Sequence, residues 1–172
     1  MDGSEECWLS IYTHNMKQTL IQKLIEQLTQ NTKELDTYIE KERAGAMQAP
    51  GRMESRYDSE KQEASYRANT LMERKALIIQ TIQTITEYAK NLPEKSDIVE
   101  IGALITTQDT TDKKRIYFIL PTAEGEPLQD PNIKELILVL SPQSPIFPHI
   151  HKKKKGDTYE FNGKTYTIID VQ

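Results

Sequence analysis

Cysteine is all but absent from this chain: Cys7 is the only one, which excludes an internal disulfide framework and any cysteine-rich zinc site. Long apolar runs are absent too, since none approaches the roughly 20 residues that a membrane-spanning helix needs. Neither sign of charge dominates. With 22 basic and 26 acidic residues the net charge is −4, which argues against holding nucleic acid by bulk electrostatics alone. There is no glycine-rich phosphate loop, because Gly102, Gly125, Gly156 and Gly163 stand alone. The three histidines, His14, His149 and His151, form no nucleophile motif with Cys7 or a serine, so no catalytic activity of its own is expected. Residues 1–7 are acidic rather than basic and do not read as a secretory signal. A soluble, cytoplasmic protein without a membrane partner is the expectation. At 172 residues and 37% hydrophobic content, the chain can bury the core of one ordinary domain or two small ones.

What is present divides into two halves. Over residues 16–92 glycine and proline occur only at Gly45, Pro50 and Gly51, and apolar residues recur at spacings of three and four. Ile21, Leu24, Ile25, Leu28, Leu35 and Ile39 mark one helical seam. Tyr57, Ala64, Ala68, Leu71, Ile78, Ile82 and Ile85 mark a second. Pro50 and Gly51 break the pattern, so the spacing predicts an antiparallel coiled-coil hairpin with its tip near residues 46–53. The seam is rich in Ile and Leu toward the base and thins to Ala64 and Ala68 toward the tip, which predicts a firm base and a soft tip. A hairpin folded on itself is expected as a monomer; a dimerising coiled coil is the alternative that pattern alone leaves open. Residues 1–15 form a separate amino-terminal segment, where Trp8, Leu9, Ile11 and Tyr12 can pack against the hairpin base or add a short helix.

Leu92-Pro93-Glu94-Lys95-Ser96 ends the helix. Beyond it, residues 97–172 read as a small, mostly antiparallel β domain, giving an α+β chain overall. Residues 98–107 and 115–120 are expected strands joined by the polar turn at 109–113, and residues 135–140 form a third apolar run. Residues 159–161 and 164–171 flank Asn162-Gly163, a type I′ hairpin signal. Between them, the stretch with Pro142, Pro145 and Pro148 is expected to hold a short helix or turn beginning near Ser144. Charge does not separate the halves: residues 1–96 carry 13 basic and 15 acidic side chains, and residues 97–172 carry 9 and 11.

Three features bear on chemistry. His149-x-His151 would share a face on a strand, but four adjacent lysines repel a cation. The run Lys152-Lys153-Lys154-Lys155 reads as a solvated turn before Gly156, with contact to phosphates or an acidic partner as the alternative. Just after the hairpin tip, Glu54 and Asp58 are four apart on the second helix, and Glu60 and Glu63 are three apart. Such carboxylates favour a helix N-terminus, and on a projecting tip they can also hold a divalent cation when another protein supplies the remaining ligands.

A helical hairpin followed by these strands resembles the bacterial GreA/GreB transcription elongation factor family. The resemblance rests on Val99-Glu100-Ile101-Gly102-Ala103-Leu104-Ile105, on Ser141-Pro142-Gln143-Ser144-Pro145-Ile146, and on residues 152–157 followed by Tyr166-Thr167-Ile168-Ile169-Asp170-Val171. Residues 54–58, with Glu63-Ala64-Ser65-Tyr66, are similar to a shorter-armed Gre-like subgroup. The resemblance implies an FKBP-like topology for residues 97–172 and RNA polymerase as the partner, bound in part through Ser144, Pro145 and Ile146. It implies a coiled-coil tip inserted into the polymerase secondary channel, DNA binding, indirect contact with nascent RNA, and no cofactor of its own. Tip carboxylates, Glu54 and Asp58 or in another register Glu60 and Glu63, would share a Mg²⁺ with the polymerase, whose active site cleaves backtracked RNA. Arg52 stands where the family has an aspartate, which favours a channel-binding competitor that stimulates no cleavage. Prolyl isomerase activity is not expected, because one Trp and three Phe are too few to line its pocket.

Overall fold

A computed structural model of the chain describes the backbone of residues 3–48, 55–123, 127–130, 133 and 135–172, and their side chains except at 3–14, 46–48 and 55–60. Two long helices, α1 (Gly3–Gln48) and α2 (Ser55–Ala89), form an amino-terminal hairpin. Helix α1 starts at Gly3, so residues 3–15 are continuous with it. The hairpin is followed by strands β1 (Leu104–Asp109), β2 (Lys114–Ile119), β3 (Pro127–Leu128) and β4 (Ile137–Leu140), the short helix α3 (Phe147–Ile150), then β5 (Thr158–Phe161) and β6 (Lys164–Val171). The chain divides into two compact units, Met1–Ile25 with Thr84–Gln172, and Glu26–Gln83.

Unit Glu26–Gln83 is a pair of helical arms. Leu28, Ile39, Ala64, Ala68 and Ile78 are buried in the seam, while Leu35, Leu71 and Ile82 are half-buried. Polar cross-links run along its flanks: Lys75 Nζ to Asp36 Oδ1 at 2.5 Å, Arg67 Nε to Glu42 Oε2 at 3.0 Å and Arg43 Nη2 to Met72 Sδ at 3.0 Å. Asp36 pairs with Lys75, whereas Glu42, further along α1, pairs with the earlier Arg67, so the arms are antiparallel. Small Ala64 and Ala68 bury little surface, whereas Leu28 is wholly enclosed. At about 25 cal/mol per Å² of apolar surface, the alanine section of the seam is the weaker part.

The other unit contains the sheet, in the order β3-β4-β2-β1-β6-β5. Its pairings are antiparallel except β2 with β4, which is parallel. The sheet is therefore mixed. The connection after β2 carries the chain past that strand's edge before β4 forms, and β3, whose proline is tolerated at a sheet edge, pairs outside β4. The first strand is shorter than the β-branched run at 98–107 predicts. Gly102 has φ +93° and Ala103 N–H donates to the Glu100 carbonyl, so the backbone turns before it can pleat. Leu136 is half exposed and precedes β4 rather than belonging to it. The β5–β6 hairpin turns at Asn162 (φ 52°) and Gly163 (φ 71°), and two positive φ values are what a type I′ turn requires.

Both faces of the sheet are covered. On one, Ile105, Tyr117, Ile119, Tyr159, Tyr166 and Ile168 pack with Phe147 and Ile150 of α3. Tyr159 and Tyr166, cross-strand partners, stack at 5.2 Å, and the Arg115 guanidinium lies 5.3 Å over the Tyr166 ring. On the other, Leu104, Ile116, Phe118, Ile137 and Val139 are also buried. Lys23 Nζ of α1 meets Asp130 Oδ2 at 2.8 Å, which ties the helical base to the segment after β3.

Candidate functional site

Of the tip carboxylates, Glu54 lies outside the described residues, as do Pro50, Gly51 and Arg52. Asp58 and Glu60 fall on α2, with side chains outside the described ones. Glu63 is on α2 and largely exposed, with Oε2 3.6 Å from Arg67 Nη1. Arg67 is also held by Glu42. This guanidinium bridges acids from both arms, so Glu63 does not present an unopposed negative field. Tyr66 beside it is 74% exposed, and residues 62, 63, 66 and 67 line a shallow open depression. Such a surface can contact a partner, and it has no enclosed space for a reaction.

In the sheet unit, the segment 141–146 is a compact turn. Ser144 N–H donates to the Ser141 carbonyl at 2.9 Å, and Ser144 Oγ accepts from Ser141 N–H at 3.1 Å. Ile146 is 6% exposed and belongs to the core under α3. Pro145 is exposed. Among Ser144, Pro145 and Ile146, the last supports the turn from beneath and Pro145 is the one presented outward. His149 and His151 are both exposed, and α3 takes His149 out of the strand geometry in which the two would share a face. Among the described residues no group of three or more His, Cys, Asp or Glu side chains is placed to hold a metal ion.

Sequence reasoning did not find a polar node at the helical base. Lys17 is fully buried, about one helical turn before Leu20 and Ile21 and two before Leu24, and its Nζ donates to the Pro93 carbonyl at 3.2 Å. Its place on the three-and-four spacing of the seam was the available signal, although lysine is seldom buried. Burial pulls the Lys17 ammonium down from 10.5 to about 8, against an opposing pull from the Glu100 carboxylate. Burial, followed by Glu100, pushes the Tyr88 hydroxyl up. Glu100 also accepts a hydrogen bond from Ser96 Oγ at 3.0 Å, and Ser96 Oγ binds the Ile98 carbonyl. Elsewhere, hydrogen bonds from Thr111 and Lys113 hold the Asp109 carboxyl below its usual range and fix the β1–β2 turn.

The Lys17 shift has a testable sign. Below pH 8 the ammonium is charged in the folded and the unfolded chain, and burying it opposes folding by about 3 kcal/mol. From pH 8 to 10.5 the unfolded chain keeps the proton that the folded chain releases, so stability rises and the penalty vanishes above that range. Lys17→Met is expected to stabilise the chain at pH 7 by about 1–2 kcal/mol, once the lost bond to Pro93 is counted. Urea unfolding across pH 7 to 10.5 should show the advantage of the variant closing and then reversing. A constant difference across that range would contradict the assignment.

No family model matches the chain, and no curated protein matches it. Among solved structures, the crystal structure of GreA factor homolog 1 (Gfh1) protein of Thermus thermophilus is similar at 16% identity and a TM-score of 0.36, covering 86% of this chain and 94% of that one. The structure of the transcription factor Gfh1 is similar at 16% identity and a TM-score of 0.35, covering 88% and 92%. A likeness at this level assigns the chain neither a family nor a function.

Proposed function

We propose that this chain is a Gre-like accessory factor of RNA polymerase. Its sheet unit binds the enzyme, and its helical hairpin enters the secondary channel to modulate elongation. One observation carries the reading: the separated segments that resemble the family are hydrogen-bonded to one another in one unit. Val99 N–H donates to the Lys153 carbonyl and Lys152 N–H to the Val99 carbonyl, both at 2.8 Å. Gly156 N–H donates to the Ile168 carbonyl at 2.7 Å, and Ile105 pairs with Val171 across β1 and β6. Stretches far apart in sequence thus form one structural unit, whose core also takes in Ile146 of the 141–146 turn, as a shared docking domain requires.

On this reading the protein has no reaction of its own. Glu54 and Asp58 would supply oxygens to a Mg²⁺ that the polymerase holds, and carboxylate ligands of this kind favour binding of a divalent cation. RNA is reached through the polymerase. The experiment is transcript cleavage in a backtracked elongation complex at low Mg²⁺. Shortening of the RNA is expected with the wild-type chain, and Glu54→Ala with Asp58→Ala should slow it about tenfold or more while polymerase binding persists. Cleavage unchanged in the double variant would remove the carboxylates from the mechanism.

A second reading is favoured by the cations among the acids. Arg67 lies against Glu63 and Glu42, and Arg52 stands two residues before Glu54 in the sequence. A tip so balanced suits a competitor that occupies the channel without promoting cleavage. Binding without shortened RNA is its signature.

A further inference from the structure

The geometry points to a contact site for single-stranded nucleic acid on the loop from His149 to Lys155. Three observations meet there. The first is a fixed backbone. Lys152 N–H and the Lys153 carbonyl are both bonded to Val99, Lys153 N–H donates to the Ile150 carbonyl, and Asp157 N–H donates to the Lys154 carbonyl. Lys154 N–H donates to Asp157 Oδ2 at 2.8 Å, and Lys152 sits at φ 62°. The lysines therefore project from a framework whose entropy is already lost, unlike those of a floppy tail.

The second observation is charge. Lys155 meets Asp170 at 3.8 Å, and Asp157 is engaged by the loop's own backbone. Lys152, Lys153 and Lys154 form no ion pair among the described residues, so three adjacent ammonium groups lack a carboxylate partner. The third is the pair of exposed imidazoles. His151 stacks on Phe147 at 4.9 Å and 25°, and His149 meets Phe161 edge-on at 5.7 Å. Each ring is braced by a phenylalanine. Flat rings set among free cations match a strand whose bases stack while its phosphates are neutralised. An acidic polypeptide would use the lysines and leave the rings idle, so the nucleic acid is the better fit. A chain of net charge −4 can do this because the contact is local.

The test is fluorescence anisotropy of a labelled 12-nucleotide single strand with the full-length chain, titrated with salt, and with poly-glutamate as competitor. Wild-type binding should weaken with salt with a log–log slope of about −2, since three lysines release about 0.7 counterion each on a single strand. Lys152→Ala with Lys153→Ala and Lys154→Ala should flatten that slope and lower affinity at least tenfold. His151→Ala should cost about fivefold or more, and His151→Phe, which keeps a stacking face, should restore binding. His151, Lys152 and Lys154 are exposed and Lys153 is half-buried, and circular dichroism verifies the fold of each variant. Wild-type affinity in the triple variant, indifference to His151→Ala, or poly-glutamate binding as tight as the oligonucleotide would each overturn the assignment. No polymerase is present in the assay, so its failure is separate from failure of the polymerase reading.

Discussion

Gly102→Ala is expected to destabilise the sheet unit by about 3–5 kcal/mol, the larger part from steric conflict. Gly102 has φ +93°, where an L side chain is strained by roughly 1–2 kcal/mol. A Cβ there would stand 2.5 Å from Tyr88 Oη and 2.7 and 2.9 Å from Cγ and Cδ of Pro93. The proline ring cannot rotate away. Gly102 N–H is also bonded to the Ile119 carbonyl at 2.8 Å, which limits how far the backbone can retreat. Overpacking of this kind costs about 1–3 kcal/mol, and more where neither neighbour yields. Gly156 is the internal control, with φ +91° and nothing within 4 Å of its Cβ position. Gly156→Ala therefore carries the backbone strain alone. Urea unfolding should place Gly102→Ala clearly below Gly156→Ala, and equal losses would contradict the close approach at Tyr88 and Pro93.

Phe118→Ala is expected to cost about 3–5 kcal/mol for a different reason, a cavity at the centre of the sheet. Phe118 is fully buried on β2, pairs with Leu104 of β1 and Val139 of β4, and so sits between the two central neighbours of that strand. Hydrogen-bonded strands on either side cannot collapse into the space that its ring would leave. Leu136, 53% exposed just before β4, is the comparison: Leu136→Ala should shift stability by no more than about 0.5 kcal/mol. A loss under 1 kcal/mol for Phe118→Ala, measured by the same unfolding curves, would mean that β2 is not held as described.

The helical seams were legible because periodicity reports burial directly. Ile21, Leu24, Leu28, Ile39, Ala64, Ala68, Ile78 and Ile85 are buried where the spacing places them. Asn162-Gly163 was legible because few residues tolerate two successive positive φ values. The parallel pairing of β2 with β4 was not, since alternation marks a strand and says nothing of its partner's direction. The start of β1 was misplaced because β-branched residues at 98–101 look pleated until Gly102 forces a turn. Lys17 escaped notice because charge ordinarily predicts exposure, and the burial of Ile146 was hidden because three prolines give its segment the look of a surface loop. Of the candidate site, the types of residue near the tip could be read from sequence, whereas the Arg67 bridge between Glu42 and Glu63 depends on the pairing of the two arms.

The central claim, that the hairpin enters the secondary channel of RNA polymerase, is tested most directly by crosslinking from its tip. With Cys7→Ser removing the native thiol, Gly51→Cys can carry a short photoreactive group and be mixed with a bacterial polymerase core enzyme stalled in a backtracked complex. The account predicts a stoichiometric complex and crosslinks mapping to the channel's inner end beside the catalytic Mg²⁺, lost when that channel is blocked by another occupant. A chain that does not associate with the polymerase, or whose tip crosslinks only to its outer surface, would contradict it.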